Sequence, residues 1–147
     1  MRNRAENTVG DQMKTVKLQQ RNGHYFADIH ITEEEWVEML NNEYIFNKKS
    51  LELVKDWYHE PGHQASNVEM MNRKGLEKSP YIGIVVGLGR RIQKHLDRVK
   101  VIQNEGNRNS YWIFLFEGYY TNNDRSLPFV WILRKELVAA LEASCHV

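Results

Sequence analysis

The stretch QASNVEMMNRKGLEKSPYIGIVVGLGRRIQKHL, Gln64 to Leu96, decides how this chain is read, because it spells a helix, a glycine turn and a second, basic helix. Ser66 and Glu69 stand at the spacing of a capping box, in which a hydroxyl and a carboxylate each satisfy a free amide at a helix start. Gly75 should end that helix, since glycine takes the left-handed conformation of a helix C-terminus without steric cost. Arg73 and Lys74 suit the negative end of the helix dipole. Ser79 is placed to cap the next helix, with Pro80 in its first turn, where a missing amide proton costs nothing. The four residues Gly75 to Lys78 then form the turn of a helix-turn-helix, whose second helix enters the major groove of DNA.

On that second helix Tyr81, Val85, Leu88, Ile92 and Leu96 share one apolar stripe, the expected core face, and Arg90, Arg91 and Lys94 project elsewhere. Gly83, Gly87 and Gly89 each cost about 1 kcal/mol relative to alanine inside a helix, a cost that makes sense where another backbone approaches closely. Tyr81 to Gly89 also admits a strand running into a Gly-x-Gly turn, the opening of a dinucleotide fold. Ile92 stands at the third glycine position and the acidic residue expected about 20 positions further on is missing, so that alternative is set aside. No Gly-x-x-x-x-Gly-Lys-Ser/Thr phosphate loop exists.

Charge is unevenly spread. The 147-residue chain has a net charge of only +1. Arg73 to Lys100 nevertheless holds eight basic residues against Glu77 and Asp97, a balance of +6, and Asp28 to Glu60 holds nine acidic against three basic, a balance of −6. The basic segment coincides with the expected recognition helix, the pattern of a nucleic-acid footprint.

Working outward, residues 1–12 read as a polar, disordered tail and residues 13–147 as one domain. Asn22-Gly23 is a strong hairpin signal, joining strands at Val16 to Gln20 and His24 to Ile31. Thr32 and Glu35 make a second capping box, before a short helix with Trp36, Val37 and Leu40 on one face. Asn47 caps a longer helix with Leu51, Val54 and Tyr58 on its apolar stripe, ended by Pro61-Gly62. Two apolar segments, Tyr111 to Phe116 and Pro128 to Leu133, read as a hairpin whose loop, TNNDRS, fits the wing of a winged helix. Lys135 to Ala143 is a last helix that buries Leu137, Ala140 and Leu141. The fold class is therefore α+β, a winged helix-turn-helix-like domain with an N-terminal β-hairpin and a C-terminal helix.

Catalytic chemistry finds little support. His59 and His63 are four apart, but Pro61-Gly62 breaks the helical geometry a metal pair needs. Glu33, Glu34 and Glu35 are explained by the positive end of a helix dipole. Cys145 is the only cysteine, which excludes an internal disulfide and suits a reducing cytoplasm. No apolar run approaches the roughly 20 residues that span a bilayer. The sequence predicts a soluble cytoplasmic protein with no catalytic residue, metal or cofactor.

Several segments taken together resemble a module at the N-terminus of McrB-type modification-dependent restriction proteins and related phage-defence proteins. They are ITEEEWVEMLNNEYIF (Ile31 to Phe46), HEPGHQAS (His59 to Ser66), LGRRI (Leu88 to Ile92), YWIFLFEG (Tyr111 to Gly118) and FVWILRKELVAALE (Phe129 to Glu142). The resemblance covers about Ile31 to Glu142, rests on pattern and order, and leaves the N-terminal hairpin outside it. It implies an accessory, DNA-sensing part coupled to a motor or nuclease partner. Ser79, Tyr81, Arg90, Arg91, Lys94 and Arg98 are then the candidate DNA contacts, joined by Asn122, Asn123 and Arg125 at the wing tip on position alone. With the resemblance, the aromatic residues near the wing point to modified bases, and Trp112 and Tyr119 are candidates for a pocket holding an extruded base. The alternatives are an adaptor whose winged helix and acidic Asp28 to Glu60 half dock a partner subunit, and a winged-helix transcriptional regulator.

Overall fold

The structure, a computed structural model, describes residues 13–103, 106–121 and 128–147. The expected N-terminal tail, residues 1–12, lies outside the described residues, as does most of the expected wing loop. In chain order the elements are β1 (Lys14–Lys17), β2 (Gln19–Arg21), β3 (His24–Phe26), α1 (Glu33–Leu40), α2 (Lys48–Tyr58), β4 (Gln64–Ser66), α3 (Asn67–Arg73), α4 (Tyr81–Leu96), β5 (Val99–Ile102), β6 (Phe116–Tyr120), β7 (Phe129–Leu133) and α5 (Lys135–Ala143). Short 3-10 turns at Pro61–His63 and Trp112–Phe114 precede β4 and β6. The class is mixed α+β.

Local chemistry starts most of the helices. The Glu35 amide donates to Thr32 Oγ1 at 3.1 Å and the Thr32 amide to Glu35 Oε1 at 3.0 Å. The same reciprocal pair joins Ser66 and Glu69 at 3.0 and 2.9 Å. Asn47 accepts the Ser50 amide at 3.0 Å and opens α2. Gly75, at φ +68°, closes α3 as expected. The α3–α4 connection is longer than the expected four residues, running from Lys74 to Pro80, because Ser79 and Pro80 precede the helix. Ser79 still accepts the Tyr81 amide at 3.1 Å.

The five-stranded sheet is antiparallel with strand order β2-β3-β6-β7-β4. One row across it reads Tyr25, Gly118, Trp131, Ala65, and alternation puts Phe116, Tyr120, Phe129 and Leu133 on that same face. Trp57 of α2 packs there, 5.8 Å from the ring centroids of both Phe116 and Trp131. α2 lies against α4, and α1 against α5. Trp36, Trp57, Leu88, Ile92, Phe114, Phe116 and Leu137 are wholly buried in one cluster.

Three expectations are corrected here. The hairpin turn forms at Asn22 and Gly23, with φ +53° and +79°, but its strands are only β2 and β3. Val16 belongs instead to β1, which runs parallel to β5 with Val16 opposite Val101, a pairing no local pattern reveals. On α2 the buried face is Ser50, Leu53, Val54 and Trp57, so the stripe is rotated from Leu51, Val54 and Tyr58. Trp57 wins the core and Tyr58 turns its hydroxyl to Glu142 Oε2, 2.6 Å away. Tyr111 to Phe116 is not one strand: Trp112–Phe114 form a 3-10 turn, the Leu115 amide donating to the Trp112 carbonyl at 3.1 Å, and the strand begins only at Phe116, with Ile113, Phe114 and Leu115 all fully buried. The Arg134 guanidinium holds that turn, donating to the Ile113 carbonyl from Nε and Nη2 at 2.8 and 2.6 Å.

Candidate nucleic-acid interface and adjoining groove

α4 buries Tyr81, Val85, Leu88 and Ile92 of the expected stripe, with Leu96 half-buried at its end, and leaves Ile82, Gly83, Arg90 and Lys94 exposed. Gly89 is where another backbone comes close: a Cβ there would overlap the Tyr111 carbonyl oxygen, whereas Gly83 faces open space.

Four of the six helix-region candidates are occupied within the protein. Tyr81 is buried against Trp57, with ring centroids 5.4 Å apart, and burial raises its hydroxyl pKa. Ser79 caps α4 and bonds the Asn67 side chain. Arg91 donates from Nε to the Ile45 carbonyl and from Nη2 to Ser50 Oγ, both at 2.9 Å, and its pKa is lowered by burial. Arg98 grips Glu35 through two nitrogens at 2.6 and 2.9 Å and the His30 carbonyl at 2.8 Å. Arg98 in turn holds the Glu35 carboxyl below its ordinary pKa. Only Arg90 and Lys94 of this group are left facing outward, with Arg90 5.1 Å above the Tyr111 ring. Asn122, Asn123 and Arg125 lie outside the described residues.

The two oppositely charged segments largely meet each other. Arg73 pairs with Glu60, Lys74 with Asp56 at 2.7 Å, Arg98 with Glu35, and His95 lies 3.4 Å from Glu38. The Lys74 pKa is raised by Asp56. Of the cations between Arg73 and Lys100, those exposed without an ion pair among the described residues are Lys78, Arg90 and Lys94.

Beside the first turn of α4 lies a groove of about 650 Å³ between α3, α4 and the β6–β7 hairpin. Its aromatic wall centres on Phe129, whose ring covers Gly118 and meets Trp112, Tyr25 and Tyr120 edge-on at 5.2, 5.5 and 4.8 Å. A Cβ at position 118 would collide with that ring, so the glycine makes room for it. Trp112 lines this groove. Tyr119 does not join it: its side chain is on the other face of the sheet, stacked on His24 at 6.4 Å with its hydroxyl 3.5 Å from Gln64 Oε1. Sequence reading missed Tyr25, Tyr120, Phe129, Val68 and Ile82 as cavity residues. The alternation Phe116, Gly118, Tyr120 was the signal for part of them.

The two histidines weighed as a metal pair have structural roles instead. His63 Nδ1 lies 2.6 Å from the Tyr58 carbonyl and its ring stacks on Tyr58, while His59 ends α2. Among the described residues no group of three or more His, Cys, Asp or Glu is placed to hold a metal ion, and no helix is long and apolar enough to cross a membrane. No family model, curated protein or solved structure matches the chain.

Proposed function

We propose that the chain is a non-catalytic winged-helix module that binds duplex DNA, as part of a modification-dependent restriction or phage-defence system. The observation that carries the reading is the order α2, β4, α3, α4, β5, β6, β7, in which β5 leaves to pair with β1 while β4 lies beside β7 and β7 beside β6. In that arrangement α4 is the recognition helix and the β6–β7 hairpin the wing. The phosphate contacts are Lys78, Arg90 and Lys94. Each cation that neutralises a phosphate adds about −0.9 to the slope of log K against log salt, so these three give about −2.7 and affinity on the order of micromolar or weaker.

Fluorescence anisotropy with a labelled duplex at several salt concentrations tests this. The folded variant K78A/R90A/K94A should lose most of the affinity and flatten the slope. Unchanged affinity and slope in that variant would sink the reading. Competition between duplexes with cytosine, 5-methylcytosine and 5-hydroxymethylcytosine tests modification sensing, and equal affinity across them leaves a general DNA binder. The adaptor reading is favoured by a separate observation, the groove beside α4, whose described lining bears no basic or acidic side chain.

A further inference from the structure

We propose that α4 reads duplex DNA through C5-methyl groups in the major groove, with Ile82 and Val86 as the specificity-determining residues. The inference rests on the DNA reading above. It adds what the recognition helix selects: thymine, over a base pair that carries no methyl group.

In the first half of α4, YIGIVVGLG, only Tyr81 has a side chain with a hydrogen-bonding group, and its ring is buried against Trp57. Helical spacing puts Ile82, Gly83, Val86 and Gly87 on the face turned away from the buried Tyr81, Val85 and Leu88. Ile82 is 54% exposed and Val86 is half-buried. Internal packing does not require either glycine, since a Cβ at Gly83 would meet nothing within 4 Å and one at Gly87 only the Arg91 guanidinium. They keep this face low, so that the backbone can approach the groove floor and the two aliphatic side chains reach base edges.

Charge places this face on DNA. Lys78 precedes it, and Arg90, held 5.1 Å over the Tyr111 ring, and Lys94 follow it. Cations at both ends take phosphates and set the stretch between them over the bases. Every base edge in the major groove offers hydrogen-bond donors or acceptors, which an aliphatic side chain leaves unsatisfied; the thymine methyl is the one apolar group among the four standard bases. Ile82 and Val86 stand about 6 Å apart along the helix axis, nearly two base steps of about 3.4 Å, so together they address methyl groups on neighbouring pairs.

The test is an anisotropy competition, with the full chain, between short A·T-rich duplexes identical except that deoxyuridine replaces thymidine. The thymine duplex should bind more tightly by about four-fold for each methyl group buried. A G·C-rich pair of duplexes should show the same ratio for 5-methylcytosine over cytosine. Ile82→Ala, at an exposed position that leaves the core intact, should bring the thymine-to-uracil ratio below about two-fold, and adding Val86→Ala should abolish it. K78A/R90A/K94A should weaken both duplexes alike and leave the ratio unchanged. Equal affinity for the thymine and uracil duplexes would overturn this inference while the DNA reading stands, whereas no binding to any duplex would overturn both. A thymine preference untouched by Ile82→Ala, or one confined to modified cytosine as a base-holding pocket would give, would also overturn it.

Discussion

In the second half of α4 and just past its cap, two arginines turn their charge inward, Arg91 to the Ile45 carbonyl and Ser50 and Arg98 to Glu35, while Arg90 and Lys94 face outward. In the first half of the helix Ile82 and Gly83 face solvent beside an aromatic groove. One half thus spends polar side chains on internal structure and the other leaves apolar ones outside. Counting charges along a chain says how much potential is available; only the fold says how much of it reaches a partner.

The sharpest way to break this comparison is to make the same substitution in both halves. Gly89→Ala should cost about 2–3 kcal/mol, because the new methyl group meets the Tyr111 carbonyl and backbone must move. A urea midpoint equal to wild type would show that the two segments do not touch. Adjacent arginines offer the next contrast. Arg91→Ala should cost about 1–2 kcal/mol by stripping donors from the Ile45 carbonyl and the buried Ser50 hydroxyl, with no loss of DNA affinity in the folded protein. Arg90→Ala should do the reverse, and a swap of those two outcomes would reverse the assignment of the faces.

In the first half, Gly83→Ala should stabilise by up to about 1 kcal/mol, since the site is helical, exposed and open. A destabilised variant would mean that something covers Gly83. The smallest effect concerns the Arg98–Glu35 pair. Glu35 titrates below its ordinary value in the folded protein, so its contribution is complete above that ordinary value and is lost as pH falls through the folded one. Glu35→Gln keeps the capping-box geometry and removes the charge. Because both side chains are a third or more exposed, the loss at neutral pH should be about 0.2–1 kcal/mol, shrinking as the pH falls below the ordinary carboxylate range. A gap between the two urea midpoints that stays constant with pH would contradict the pairing.

Where structure is set by neighbours in the chain, it was legible. Thr32 with Glu35, Ser66 with Glu69, Asn47 and Asn22-Gly23 fix helix starts and a turn through contacts a few residues apart, and each forms as read. Pairings across long separations were not legible. Nothing near Val16 announces Val101, and nothing near Arg98 announces Glu35, because the partners stand far apart in the chain and only the assembled fold brings them together. The Tyr111 to Phe116 run failed for a different reason: continuous apolar residues carry no period, so a buried turn and a buried strand look alike. The groove was half visible, through Trp112, while its other rings come from three strands that only the sheet brings into one place.

The parallel pairing of β1 with β5 also dictates an order of assembly. Ribosomal synthesis delivers Lys14–Lys17 long before Val99–Ile102, so the first strand waits without its partner while the Asn22-Gly23 hairpin closes within about 1–10 μs. β3 waits in the same way for β6. The hairpin therefore spends most of translation as an open-edged unit, and β1 and β3 find their partners only after the helical middle has emerged.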